Sequence, residues 1–322
     1  MILEIFLFIL SCFVLSWLSS SLVKTLVEIA KYLGWREFIV AFFVMAFAGS
    51  LPNLLVDVGA ALRGIPQISF GDVLGGNLVD LTLVMGIASL LSSKEIKTDS
   101  KLVQGSAIFT AIIALLPLFL VFDGKLDRID GVILIGAFFV YSAWLFSKEE
   151  RFKKVYNRSK KKPIASVKSF FINIVKIIFL LGLLLLSSQW IIYSAQYFSS
   201  SLGISISLVG ILIIGLGNCF PETYFSVISA RKGNGWMVLG DLMGSVIVCA
   251  TLVLGIVAII SPFEIKDFSP FIIARVFMII AAVFFLISIR NGKNLSRKEA
   301  LVLLSTYILF LLTEIFRAYI VK

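Results

Sequence analysis

The chain has 322 residues, of which 59% are apolar and 15% charged, with a formal net charge of +10 and no histidine. A soluble globular domain carries about 25% charged residues. This composition, with a mean hydropathy of +1.04, therefore excludes a soluble fold and leaves no polar stretch long enough for a separate soluble domain. The missing histidine removes the commonest transition-metal ligand and the usual proton shuttle. Together with the lack of HExxH and GxSxG motifs, it argues against an intramembrane enzyme.

A bilayer span needs roughly 20 apolar residues, and ten such stretches follow one another along the chain. The first, 3–30, is too long and too poor in N-terminal charge for a cleavable signal, and is read as a retained helix. The second, 37–62, contains Pro52, and the third, 68–92, is rich in glycine. Spans 102–122 and 129–147 close a first half, 1–147. A basic loop, 148–168, leads to a second half, 169–322, with spans 169–198, 204–230, 236–260, 269–289 and 298–319. Cys12, Cys219 and Cys249 all fall inside apolar spans, so structural disulfides are not expected, and CxxC metal spacing is absent.

Positive charge follows the loops. The odd-numbered loops hold twenty of the 29 Lys and Arg residues, nine of them in 148–168. The positive-inside bias then places odd loops in the cytoplasm and both termini outside. The excess of positive charge thus reflects topology and anionic lipid heads, and nucleic-acid binding is not expected. The short loops suit a prokaryotic cell membrane.

Shifting the first half by 169 residues lays 49–87 on 218–256 without a gap, with thirteen identities in 39 pairs. They include Pro52/Pro221, Gly64/Gly233, Gly71/Gly240, Asp72/Asp241, Gly75/Gly244 and Thr82/Thr251. Each half has five spans, so the second enters the membrane in the opposite sense. The expectation is an all-α polytopic membrane protein of ten transmembrane helices, arranged as two inverted five-helix repeats, a plan of secondary transporters. Each copy reads as a helix interrupted at Pro, then a helix whose glycines let the backbone leave helical geometry and free carbonyls for ions.

Acids within an apolar core are costly and mark function. Glu222 follows Pro221 near the middle of its span and is the leading cation ligand. Its repeat partner is Asn53, whose amide oxygen also suits a hard cation. Asp57, one turn later, is either a replacement charge or an entry residue nearer the mouth. Asp80 pairs by repeat with Cys249, so each half keeps one clear acid, Asp80 and Glu222. Asp72 and Asp241 are either ligands or acids bonded to nearby backbone and hydroxyls. Ser50, Asn77, Asn218 and Ser245 add polar groups that either coordinate or pack helices. Lys24, Lys176 and Arg275 sit near span ends and are read as snorkelling, and Glu314 with Arg317 as a local pair.

GNCFPE (217–222) followed by GDLMGSVIVC (240–249), and GSLPN (49–53) followed by GDVLGGNLVD (71–80), resemble the paired α-repeats of the calcium/cation antiporter superfamily, the sodium/calcium exchanger type in particular. The resemblance extends over most of the chain, including LGISISLVGILIIGLG (202–217). It implies ten helices, alternating access and a central site where calcium competes with sodium, with no resident cofactor. The family's two repeat glutamates fall on Asn53 and Glu222, and its acid or amide in the third and eighth helices on Asp80 and Cys249. Its hydroxyl residues fall on Gly49, Ser50, Asn218 and Cys219, the serines of its G-S-N motif on Gly76 and Ser245, and its earlier asparagines on Asp72 and Asp241. Asn53, Gly76 and Cys249 depart from that pattern, which leaves open whether the coupling ion is sodium or a proton, and which cation is carried. The expected function is exchange of Ca2+ for Na+; proton-coupled exchange of a cation is the alternative.

Overall fold

A computed structural model describes residues 2–32, 47, 49–152, 167–265, 271–292 and 294–320. The first part of the second span (37–46 and 48) and most of the basic loop (153–166) lie outside the described residues. Among the described residues the chain runs through ten helices: α1 Ile2–Tyr32, α2 Leu51–Leu62, α3 Gln67–Leu90, α4 Lys101–Leu120, α5 Arg128–Phe152, α6 Val167–Leu202, α7 Ile206–Arg231, α8 Gly235–Ile260, α9 Ile272–Arg290 and α10 Arg297–Ile320. Among the described residues nine of them are long and apolar enough to cross a membrane, and α2 is the shorter apolar helix. The protein is a polytopic α-helical membrane protein.

Burial sorts the helices by depth. In the most apolar 18-residue stretches of α3 and α8, 78% of the residues are buried, whereas that of α6 has 11% and that of α1 28%. The outward faces of α1 and α6 carry Phe6, Phe13, Trp17, Phe171, Val175 and Phe179, as helices bathed in lipid should. Two apolar cores result. One joins α3, α4, α5, α8, α9 and α10 with Ile211, Cys219 and Ala230 of α7. The other joins α1 and α6 to α2 and the start of α7. The outer pair α1/α6 packs along its length and lies over the break in α7: Cys12 sits against Gly217, and Phe13 stacks on Phe220 at 5.7 Å.

Four two-residue strands tie the halves together. β1 (Ile96–Lys97) pairs antiparallel with β4 (Asn294–Leu295), joining the α3–α4 and α9–α10 loops. β2 (Lys125–Leu126) pairs with β3 (Phe263–Glu264), joining the α4–α5 and α8–α9 loops. A loop can pair only with one on its own side of the bundle. The pairs therefore separate odd loops from even loops, as inverted repeats require. Lys125 and Leu126 of β2 are also the repeat equivalents of Asn294 and Leu295 of β4. The turns after α2 and α7 match as well, each with a glycine at φ 73°, Gly64 and Gly233, a left-handed conformation that favours glycine.

The glycines of α3 do something other than unwind it. The helix continues through Gly71, Gly75 and Gly76. A Cβ on Gly71 would come within 2.5 Å of the Ser207 carbonyl oxygen, and one on Gly75 within 2.1 Å of that of Ile211. These glycines let α3 and α7 cross backbone to backbone. Helical geometry changes one turn later instead. π-helical turns occupy Val79–Val84 of α3 and Cys249–Val253 of α8, and a third occupies Gly210–Ile214 of α7. The first two begin within one residue of equivalent places, and equivalent threonines serve them: Thr82 donates to the Leu78 carbonyl and Thr251 to that of Ile247. π-turns of this kind gather at functional sites.

Candidate functional site

Helices α2 and α7 present their polar residues at matched interruptions. The backbone turns at Ser50 (φ −80°, ψ 0°) before α2 and at Cys219 (φ −82°, ψ 4°) inside α7. Each turn precedes a proline, Pro52 or Pro221, in the first turn of the helical segment that follows, where a missing N–H costs nothing. Asn53 and Glu222 therefore stand in the first turn of a helix starting within the protein. The π-turns of α3 and α8 carry Asp80 and Cys249 at their beginnings.

The repeat organises these residues into two central pairs. In one, Glu222 and Asp80 face each other, 2% and 1% exposed. The Ser245 hydroxyl donates to Glu222 Oε1 at 3.4 Å and also reaches Asp80, beside the Cys219 thiol. Glu222 Oε2 and Asp80 Oδ1 are buried and receive no hydrogen bond. In the other pair the equivalents touch as well, since Asn53 Nδ2 donates to Cys249 Sγ at 3.2 Å, leaving Asn53 Oδ1 unpartnered. Cys249 lies within electrostatic reach of Glu222, so the two pairs share one neighbourhood.

Flanking these are two further groups, again equivalent by repeat. Asp57 faces Asp72, and Asn218 Nδ2 donates to Asp72 Oδ2 at 2.6 Å. On the other side Asp241 takes a hydroxyl bond from Ser226 at 3.4 Å, and Gly49 stands where Asn218 stands in the first group. Asp57 is wholly buried, which rules out the reading of it as a residue at the open mouth. Asp241, at 8%, is the most exposed of the five acids. Ser50 and Asn77 are buried on the same elements, and Cys219 donates to the Gly76 carbonyl at 3.4 Å. The structure thus brings Glu222, Asp80, Ser245, Asn53 and Cys249 together, with Asp57, Asp72 and Asn218 beside them and Asp241 on the far flank.

Among the described residues no three Asp, Glu or Cys side chains converge as one ion's ligand set. The acids are paired, and amides, hydroxyls and carbonyls must supply the remaining oxygens of any bound cation. Ser226 and Ser69 are direct partners of site acids that sequence reasoning passed over: Ser226 bonds Asp241, and Ser69 donates to the Asp57 backbone carbonyl at 2.9 Å; the equivalence of Ser226 to Asp57 in the repeat was the available signal for the first. At the even-loop face, an open depression of about 500 Å3 is lined by Gln67, Lys125, Asp127, Phe263 and Glu264 among others. There Asp127 accepts the backbone N–H groups of Asp130 and Ile129, which hold its carboxyl below the usual range. Glu314 lies away from these groups, 3.9 Å from Arg317 on α10.

The sequence model described as sodium/calcium exchanger protein matches residues 3–147 and 172–316. Among similar proteins, CaxA of Alkalimonas amylolytica, an antiporter by name, is 28% identical over 302 residues, 91% of this chain and 93% of that protein. The sodium/calcium exchanger MaX1 of Methanosarcina acetivorans is 25% identical over 328 residues, with the same two coverages of 91% and 93%. Of solved structures, the sodium-calcium exchanger NCX_Mj soaked with 2.5 mM Na+ and 1 mM Sr2+ superposes with a TM-score of 0.66 at 22% identity, over 96% of this chain and 97% of its own. The likeness in structure is one of fold; the match in sequence covers both halves and both interrupted helices, and by it the chain belongs to the sodium/calcium exchanger protein family.

Proposed function

We propose that this cation antiporter exchanges Ca2+ for Na+ by alternating access, with the divalent ion held between Glu222 and Asp80. The observation that carries the reading is the pairing of these two carboxyl groups, one from each half, around the Ser245 hydroxyl, each with a buried oxygen that nothing satisfies. A buried carboxylate without a donor is costly, and a hard dication that takes six to eight oxygens removes the cost. Asn53 Oδ1 and the carbonyls near the α2 and α7 breaks are suited to complete the shell. The printed names of the relatives, an antiporter and a sodium/calcium exchanger, support the same reading.

Alternating access follows from the division into two cores. The α1/α6 pair lies over the interrupted helices and belongs to one core, whereas Cys249 and the neighbours of Asp80, Val79 and Leu81, belong to the other. Displacement of one body against the other would open the site to each face in turn. The glycine crossing of α3 and α7 limits where that movement can occur. The basic odd loops support a cytoplasmic position for that face and external termini. Exchange against protons is the second reading; its support is the neutral Asn53–Cys249 pair, which lowers the fixed charge available to draw several sodium ions.

Calcium-45 uptake into proteoliposomes tests this, with an outward sodium gradient, an outward proton gradient or neither, for the wild type and Glu222→Gln. Uptake that requires the sodium gradient and is lost in the variant is expected. Dependence on the proton gradient would establish the second reading. Absence of calcium flux under every gradient, from folded protein, would refute both as stated for calcium.

A further inference from the structure

The outer pair α1/α6 carries a hollow that the central site does not use. It has a volume of about 410 Å3 and is lined by Glu4 and Leu7 of α1 and by Gln189, Trp190 and Tyr193 of α6. The rings of Trp190 and Tyr193 stand nearly perpendicular, 84° apart with centroids separated by 6.0 Å, and form two walls of a corner. Glu4 is half-buried; its Oε2 is buried and receives no hydrogen bond. Among the described residues no lysine or arginine forms an ion pair with it. Gln189 uses its amide oxygen to accept from Nη2 of Arg63, an exposed residue at the even-loop end of α2. Leu3 and Phe6 of α1 and Leu186 of α6 are exposed on either side. The hollow therefore lies on the flank of the bundle that lipid covers.

Trp and Tyr commonly mark the membrane interface, and an acid suits the first turn of a helix, where Glu4 stands. Neither rule accounts for a carboxyl group set against two aromatic rings with no cation beside it. Aromatic faces and a carboxylate together attract an ammonium group and repel an anion. Beyond Gln189 the sign reverses, because the Arg63 guanidinium is a ready partner for a phosphate. The order of carboxylate and rings, then amide, then guanidinium complements a headgroup with an ammonium at one end and a phosphate at the other. A soluble amine would reach the hollow only from water, whereas its surroundings are apolar. We propose that the hollow binds the headgroup of phosphatidylethanolamine, with the ammonium between Glu4, Trp190 and Tyr193 and the phosphate toward Arg63. Such a lipid joins the outer pair to the end of α2 and so bears on the movement proposed above, but its binding does not depend on which ion is carried.

Native mass spectrometry of the delipidated full chain in detergent tests this, with phosphatidylethanolamine or phosphatidylglycerol of the same acyl chains added back. The two lipids share the phosphate and differ in the amine. The wild type is expected to hold phosphatidylethanolamine at least about tenfold more tightly. Glu4→Gln, which keeps size and removes charge, and Tyr193→Leu, which removes one wall, should each abolish most of that preference. Equal retention of the two lipids by the wild type overturns the proposal, and this comparison needs no variant to fold. A preference unchanged in either folded variant overturns it as well. Glycerophosphoethanolamine, the same headgroup without acyl chains, should fail to displace the lipid at equal concentration. Displacement would identify the occupant as a soluble amine and refute the lipid assignment.

Discussion

Glu222 with Asp80 and Asn53 with Cys249 occupy equivalent places in the two halves, on helices of the same kind, after the same proline breaks and beside the same π-turns. In each pair the two side chains lie together. Only the first pair is acidic; the second is an amide donating to a thiol at 3.2 Å. The backbone plan therefore does not depend on charge, since an uncharged pair is held in the same geometry as a charged one. Charge has been varied on a fixed scaffold, and the flanks repeat the lesson with Asp57 facing Asp72 on one side and Ser226 bonded to Asp241 on the other. Residues varied on a shared frame are the natural place for selectivity to reside.

The comparison is broken most directly by exchanging loss for loss. Asp80→Asn keeps size and removes charge from the acidic pair; Cys249→Ser makes an equally small change at the equivalent place. The first should raise the calcium concentration for half-maximal uptake by about 100-fold, ~2.7 kcal/mol on the scale where tenfold is 1.4. The second should change it by less than about threefold, because a thiol replaced by a hydroxyl alters no charge. Equal effects in calcium-45 uptake would show that the neutral pair holds cargo as firmly as the acidic one.

A gain of charge sharpens the same contrast. Asn53→Glu places a carboxyl opposite Glu222 and gives up the bond to Cys249. Calcium half-saturation should fall by about tenfold, and the protein without calcium should melt at a lower temperature, because another buried carboxyl goes unpaired. A melting temperature that recovers on adding calcium is the expected signature. Unaltered affinity would mean that position 53 does not border the ion.

How much of this was legible beforehand differs between frame and site. The ten spans, the inverted repeat and the pairing of 53 with 222 and 80 with 249 follow from hydropathy and a shift of 169 residues. The roles of individual polar groups do not. Gly75 looked like a point of unwinding, yet it is where α3 meets the Ile211 carbonyl of α7, and no property of one helix alone reveals a crossing with another. Asp57 stood between two readings because one turn of error moves a residue from mouth to interior; the helix start at Leu51 places it inside, facing Asp72. Ser226 was overlooked because a serine in an apolar helix commonly bonds its own backbone.

A smaller effect is expected at Gly49. A Cβ there would lie 4.0 Å from Asp241 Oδ1, an ordinary contact with nothing nearer. Gly49→Ser introduces a hydroxyl that can donate to Asp241, giving this flank part of what Asn218 gives Asp72. One bond to a buried carboxylate, less the cost of ordering the side chain, should raise the melting temperature in detergent by about 2 °C. Calcium uptake should be unaltered, since Asp241 stands apart from the Glu222–Asp80 pair. A clear fall in stability would show that the space beside Gly49 is needed for backbone approach.

The smallest expected change lies at the two threonines that serve the π-turns. Thr82 and Thr251 make the same bond to the carbonyl four residues before, in the same register of the repeat. Valine at either position keeps the shape and removes the hydroxyl, so the direct loss of stability should be alike, about 0.5 kcal/mol, because a hydroxyl bonded within its own helix contributes little net. Their effects on transport should differ. Relaxation of the turn at Val79–Val84 moves Asp80, a proposed ligand, whereas relaxation at Cys249–Val253 moves a thiol that carries no charge. Thr82→Val should therefore shift calcium half-saturation by about threefold, ~0.6 kcal/mol, and Thr251→Val should leave it within error at the same loss of stability. If both shift it equally, the π-turns act on the helix packing they share and not through the side chains they carry. The asymmetry between the two halves would then belong to electrostatics alone.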